Sequence, residues 1–284
     1  MFVVVASTVG APLLVGGDPW AIVGTPFLPP SWEYPLGTDT LGRSVLGGIV
    51  HGGRVSLLIG LSAAAISSAI GVLVGAFAAY HGGWIDDVLM RCTEFFQIVP
   101  AFILALVLIA LFEPSLATIV TAIGVVSWPP MARLVRAEFL SLRAREFVVA
   151  GAALGAGDAR IIFRTILPNA LPVIVVYGSL LVATSILFES SLSFLGLGDP
   201  NHVSWGYMIG AARSMLQRAP WLPAFPGIAI LVTVLSINLV GDGLNDALNP
   251  RTTVAPAGST VDAAGPVATP VAESAPRTPV AAGS

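Results

Sequence analysis

The sequence predicts an all-α, polytopic membrane helical bundle of five to six spanning helices. Three observations carry that prediction. Apolar residues make up 55% of the 284-residue chain and charged residues only 10%, whereas soluble domains carry about 25% charged residues. Mean hydropathy is +0.87. Residues 55–80, 114–132, 170–188 and 221–241 contain no Asp, Glu, Lys or Arg, and each run is close to the roughly 20 residues that a spanning helix needs.

Residues 1–17 are apolar but carry Gly10, Pro12, Gly16 and Gly17. Two readings stand for this segment: a first spanning helix, or the remnant of one truncated by a misplaced start. It has no positive n-region and no small-residue cleavage site, so a secretory signal is not expected. Residues 18–54 form a polar, Pro- and Gly-rich external connector. Turn chemistry fits Gly37 and Gly42, and Asp39 is placed to cap a short helix from Thr40 into His51. Its glycines lack the Gly-x-x-x-x-Gly-Lys pattern of a phosphate loop.

Residues 55–80 read as the clearest span, rich in Gly, Ala and Ser. Small residues let membrane helices approach closely, so Gly71-x-x-x-Gly75 is a packing motif first. A short polar connector, 81–94, leads to a span at 95–112 with a kink expected at Pro100. The span at 114–132 is disturbed at its end by Pro129-Pro130. Beyond the central loop, Pro168 and Pro172 open the span ending near Phe188. A second large polar region, 189–218, precedes the last span at 221–241. The core membrane domain is thus 55–243. Residues 252–284 change to Ala, Pro, Thr, Val, Gly and Ser and read as a disordered tail.

All thirteen bases are arginine. On alternating sides, nine fall with the 81–94 connector, the central loop and the C-terminal end, and four fall opposite. The first set is expected to be cytoplasmic. A single cysteine, Cys92, excludes an intramolecular disulfide and a cysteine-based metal site. His51 and His81 lack a partner at ligand spacing, so no metal is expected. Ser190, Ser191 and Ser193 have no matched base and read as helix-end bridges.

The central loop, 133–169, holds six of the thirteen arginines. Residues 136–154 have few breakers and read as one helix. Gly155 suits a left-handed residue past its end, and Asp158 suits the N-cap of a second short helix that stops at Pro168. Small residues around Ala150 and Gly151 give a smooth face that fits a partner's groove, with arginines at the rim. An ordinary loop lying on the membrane surface is the competing reading. Glu189 either lines a transport path or lies in interfacial water. Asn238 either bridges helices or faces that path.

This loop resembles the coupling motif of type I ABC importer permeases (MetI-like), written Glu-Ala-Ala, three residues, Gly, nine residues, Ile, one residue, Leu-Pro. Gly155 and Leu167-Pro168 fall at the required spacing. Pro35-Leu36-Gly37-Thr38-Asp39 with Leu41-Gly42-Arg43 is similar to the C-type permease subunit of dipeptide and oligopeptide importers. So are Phe194-Leu195-Gly196-Leu197-Gly198 with Ser204-Trp205-Gly206, and Asn238-Leu239 with Gly241-Asp242-Gly243-Leu244. The resemblance spans about residues 35–251. It departs at Val149-Ala150-Gly151, where Glu-Ala-Ala is expected; Glu146, one helical turn earlier, is the nearest substitute acid. Thr165 stands where the motif has Ile, with Ile166 beside it.

The resemblance implies a multi-pass cell-membrane permease that moves peptides by ATP-driven alternating access. It implies a homologous second permease, two cytoplasmic ATPase subunits, an extracytoplasmic solute-binding protein and the lipid bilayer as partners, and no nucleic acid. The ATPase contact falls on Glu146, Ala150, Gly151, Gly155, Asp158, Ile166, Leu167 and Pro168. No cofactor is expected in this chain, since ATP and Mg would sit on the ATPases, and no catalysis is expected of it. Two alternatives remain: the same architecture importing nickel or another small solute, and a membrane enzyme using Asp39, His51 or Glu189.

Overall fold

A computed structural model describes residues 18–248. The expectations for residues 1–17 and for the tail at 252–284 lie outside the described residues. Among the described residues the protein is helical, with no strand beyond two isolated bridges, Ile22 to Arg43 and Thr38 to Ser44.

The first helix, α1, runs from Val45 to His81 over 37 residues, some ten residues earlier than its charge-free run. Its cap is Ser44, whose Oγ accepts from the Gly47 amide at 3.2 Å, and not Asp39. Asp39 Oδ1 instead accepts from the Leu41 and Arg43 amides, each at 2.8 Å. A carboxylate that bonds the backbone two and four residues on builds a turn, so the expected helix from Thr40 does not form.

The 81–94 connector is helical. α2 spans Gly83–Ile98 and α3 spans Ala101–Leu111, with an 80° bend between them. Pro100 has no amide to donate and holds Val99 extended, at φ −81° and ψ 124°, which separates the two helices. α4 spans Leu116–Val126 and α5 spans Pro129–Arg143. Pro129 and Pro130 open α5 rather than disturb an ending helix, because the first turn needs no amide donors. The bend between α4 and α5 is 43°.

A short helix, α6, covers Glu146–Ala153. Then α7 runs from Asp158 to Phe194, with a π-helical segment at Ile161–Ile166. α8 covers Trp205–Ala212 and α9 covers Trp221–Leu248. Helices α1, α7 and α9 are each long and apolar enough to cross a membrane, and the count reaches five if each bent pair is one span.

α1 is the central post, with α4, α5 and α7 packed on it and α9 packed on α7. Glycine makes the α1–α5 contact possible. A Cβ on Gly71 would lie 2.6 Å from Met131 Cβ, and one on Gly75 would lie 2.3 Å from the Ala132 carbonyl oxygen. The small-residue motif therefore serves packing within the chain, where dispersion between close backbones is the main attraction in lipid. Met131, Val135 and Phe139 of α5 are buried against Ala76 and Ala79 of α1 and Ile161, Ile162 and Ile166 of α7.

Candidate functional site

The arginine-rich end is built around α6. Its expected continuity with α5 fails at Arg145, which is extended at φ −75° and ψ 146°. α6 is thus a separate eight-residue helix. Only Val148 of α6 is buried. Phe147 and Val149 are 46% and 58% exposed, and Leu154 just beyond is 89% exposed. These three large apolar side chains lie open at the arginine-rich end.

Gly155 ends this helix in the left-handed region, at φ +80°, as its sequence position predicts. Asp158 is not the N-cap. Gly157 holds that place, and Asp158 is the first residue of α7. Its carboxylate accepts instead from the Tyr80 hydroxyl at 2.8 Å. Pro168 does not stop a helix either. The preceding π turn lets the Leu167 amide reach the Ile162 carbonyl, so the chain passes the missing proline donor and continues as α7.

The predicted contact residues divide. Glu146, Ala150, Gly155, Asp158 and Pro168 are exposed, and Gly151 and Leu167 are half-buried. Glu146 and Ala150 are one turn apart on the same side of α6. Ile166 is fully buried in the core between α1, α5 and α7 and presents no surface. The arginines divide as well. Arg136 grips Asp86 of α2 through two bonds of 2.6 Å, and Arg133 donates to Gln97 at 2.8 Å. Arg143 donates to the Ala79 carbonyl at 3.1 Å. Among the described residues, Arg145, Arg160 and Arg164 are exposed.

The opposite end holds Glu189, which lies in neither of its two expected settings. It is 1% exposed, enclosed by its own chain. Its Oε1 accepts from Ser193 and Ser204, each at 2.7 Å. Ser204 also caps α8 by accepting from the Tyr207 amide at 2.9 Å. The next residue, Trp205, donates its amide to Ser56 of α1 at 3.0 Å and its indole N–H to the Ile49 carbonyl at 2.8 Å. Ser190 and Ser191 donate back to Ile186 and Leu187 carbonyls.

Asn238 is half-buried. It lines a cleft of about 470 Å³ between α5, α7 and α9 with Tyr177, Ser179, Asp242 and Asn245. A larger, mostly apolar cleft of about 840 Å³ lies between α1, α7 and α9. His51 sits on α1, and His81 is stacked on Phe77. Among the described residues no three His, Cys, Asp or Glu side chains cluster as metal ligands.

The family described as the binding-protein-dependent transport system inner membrane component matches residues 71–254. The chain belongs to that family. Curated relatives of this permease include a Brucella suis protein with the provisional name peptide permease, 45% identical over 225 residues, covering 78% of this chain and 74% of the relative. The di/tripeptide transport system permease protein DppC of Pseudomonas aeruginosa is 40% identical over 230 residues, with coverages of 78% and 76%. The dipeptide transport system permease protein DppC of Alkalihalophilus pseudofirmus is 41% identical over 223 residues, with coverages of 78% and 73%. Among solved structures, an inward-facing form of the MetNI methionine ABC transporter aligns with a TM-score of 0.61 at 18% identity, covering 71% of this chain and 96% of that one. An amino acid ABC transporter solved with histidines aligns at 0.52 and 18%, with coverages of 71% and 94%. These two likenesses are of fold. This permease is an integral membrane protein with the bundle that its sequence predicts.

Sequence reasoning missed Tyr80, Asp86 and Arg143. Each acts through a partner at least 50 residues away in the chain, and no local pattern marks such pairs.

Proposed function

We propose that this chain is the transmembrane permease subunit of an ABC importer for dipeptides and oligopeptides, working in the cell membrane. The observation that carries the reading is identity of 40% to 45% over 78% of the chain to permeases named for peptides. A homologous second permease would complete the transport path, with the apolar cleft between α1, α7 and α9 facing it. Two ATPase subunits on the cytoplasmic side would hold ATP and Mg, so this chain would perform no chemistry of its own. An external binding protein would deliver the peptide at the end that carries α8.

In this reading α6 is the part that the ATPases grip. Its exposed Phe147, Val149 and Leu154 would enter a groove, and Glu146 with Arg145, Arg160 and Arg164 would supply the charged rim. Closure of the ATPases would push α6, and the packed helices would tilt as rigid bodies between inward- and outward-facing states. Peptide would be released and taken up without any group on this chain reacting.

The test is reconstitution of the chain with its second permease, both ATPases and the binding protein in liposomes. ATP-dependent accumulation of a labelled dipeptide is the expected result. Accumulation of nickel and not peptide would overturn the substrate, and turnover of a substrate by the chain alone would overturn the transporter reading.

A further inference from the structure

The end of α1 meets the α6 region through three contacts that converge on one turn of helix. The Tyr80 hydroxyl donates to Asp158 Oδ1 at 2.8 Å. The Arg143 guanidinium lies over the Tyr80 ring, 5.7 Å from its centroid. The same guanidinium donates to the Ala79 carbonyl oxygen at 3.1 Å. Residues 143 and 158 bracket α6 on both sides, and both are tied to α1 at residues 79 and 80.

Each contact has a physical reason to form here. The last carbonyls of α1 have no partner within the helix, and a cation at that end satisfies one of them and complements the helix dipole. A tyrosine ring face attracts the guanidinium. Asp158, first residue of α7, is held at a helix start where a carboxylate is favoured, and its free oxygen accepts the phenol. Beneath this layer Ala79, Phe139, Val148, Ile161 and Ile162 are buried together. α6 itself is anchored in that core by Val148 alone.

We propose that Tyr80, Arg143 and Asp158 form a strut that transmits displacement of α6 to α1, the post on which α4, α5 and α7 pack. The three are positioning residues for transport: they touch no peptide and no nucleotide. α6 hangs between the end of α5 at Arg143 and the start of α7 at Asp158, and the strut ties both of these points to the end of α1, so that a push on α6 reaches all three helices at once. This inference rests on the reading of α6 as the ATPase contact.

The test uses the full importer assembly in liposomes, with ATP hydrolysis and uptake of labelled trialanine measured on the same samples. Tyr80→Phe keeps the ring and its stacking but removes the donor. Uptake per ATP hydrolysed is expected to fall about two- to tenfold, the range that one hydrogen bond spans. ATPase co-purification and the detergent melting temperature should stay as in the wild type. Arg143→Gln, which is outside the predicted ATPase contact, and the double variant close the cycle, and the double is expected to cost no more than the worse single change. An unchanged ratio in Tyr80→Phe, or fully additive losses in the double variant, overturns the strut. A fall in uptake matched by loss of bound ATPase also overturns it, because the effect is then on docking. A wild-type assembly that shows no ATP-dependent uptake overturns the strut together with the importer reading.

Discussion

The two ends of this permease handle their polar groups in opposite ways. At the end that carries α8, a buried carboxyl group, that of Glu189, gathers two serine hydroxyls, one of which caps α8, and the neighbouring Trp205 is pinned to α1. At the arginine-rich end, the bond between Tyr80 and Asp158 is exposed, and α6 with the residue that follows it offers three large apolar side chains to the outside. The first end is closed, with these polar groups buried, and the second is open, with its large apolar side chains at the surface. A buried polar network is costly to break, since its members lose water as well as partners. An exposed contact costs less to break, so changes at the second end should alter stability less than changes at the first.

The largest expected effect breaks the closed end. Glu189→Ala strips the acceptor from Ser193 and Ser204 and leaves two buried hydroxyls without it. A loss of about 2–4 kcal/mol is expected, read as a lower melting temperature in detergent. The α8 region should also become open to proteolysis, because Ser204 holds its helix start. Melting within a degree of the wild type would show that Glu189 is not what fastens α8.

At the open end the same measurement should respond less, and function more. Gly155→Val forces a β-branched side chain to φ +80°, at a cost of about 1–2 kcal/mol. A Cβ there meets nothing within 4 Å, so the penalty is conformational and local. α6 is expected to lose its defined end and its grip on the ATPases, seen as reduced ATPase co-purification with membrane insertion intact. If ATPase capture and uptake both persist, α6 is not the contact.

A gain is expected from Val149→Glu. It places an acid at the position where related coupling loops carry one, on a side chain that is 58% exposed. If the groove that takes this position is basic, one surface charge pair is worth about 0.2–1 kcal/mol, so ATPase affinity should rise by less than about tenfold and fall back at high salt. A weaker complex at low salt would mean that this surface meets an acidic or apolar groove.

How much of this contrast could be read from sequence depends on the range of the contacts. The spans were legible because lipid forbids charge over some 20 residues, and α1, α7 and α9 follow directly. Gly155 was legible because a left-handed helix end is a local requirement. The helicity of 83–98 was not: Asp86 and Asp87 read as a polar connector, yet Asp86 is satisfied by Arg136, 50 residues away. The setting of Glu189 was hidden for the same reason, since Ser204 reaches it from beyond the turn after α7. Asp158 was placed correctly at a helix start but given the wrong partner, because a backbone cap and a distant phenol compete for one carboxylate and only the fold decides between them.

The last expected effect, comparable in size with that of Val149→Glu, sharpens the closed end at its edge. Asp199 accepts from the Leu116 amide at the start of α4 at 2.9 Å, from the Asn201 amide at 2.8 Å and from His202 Nδ1 at 2.9 Å. Burial pushes its carboxyl up, but those donors outweigh burial and hold it below the usual carboxylate range. A carboxyl depressed in the folded state adds stability that is present above the unfolded value of about 3.9 and is lost as pH falls toward the folded one. The advantage of the wild type over Asp199→Asn, about 1 kcal/mol, should therefore be present above about pH 4. It should then shrink on further acidification, as followed by melting temperature. An advantage that survives undiminished well below pH 3.9 would mean that Asp199 works by shape rather than charge, and that the clamp between α4 and the loop before α8 does not depend on ionisation.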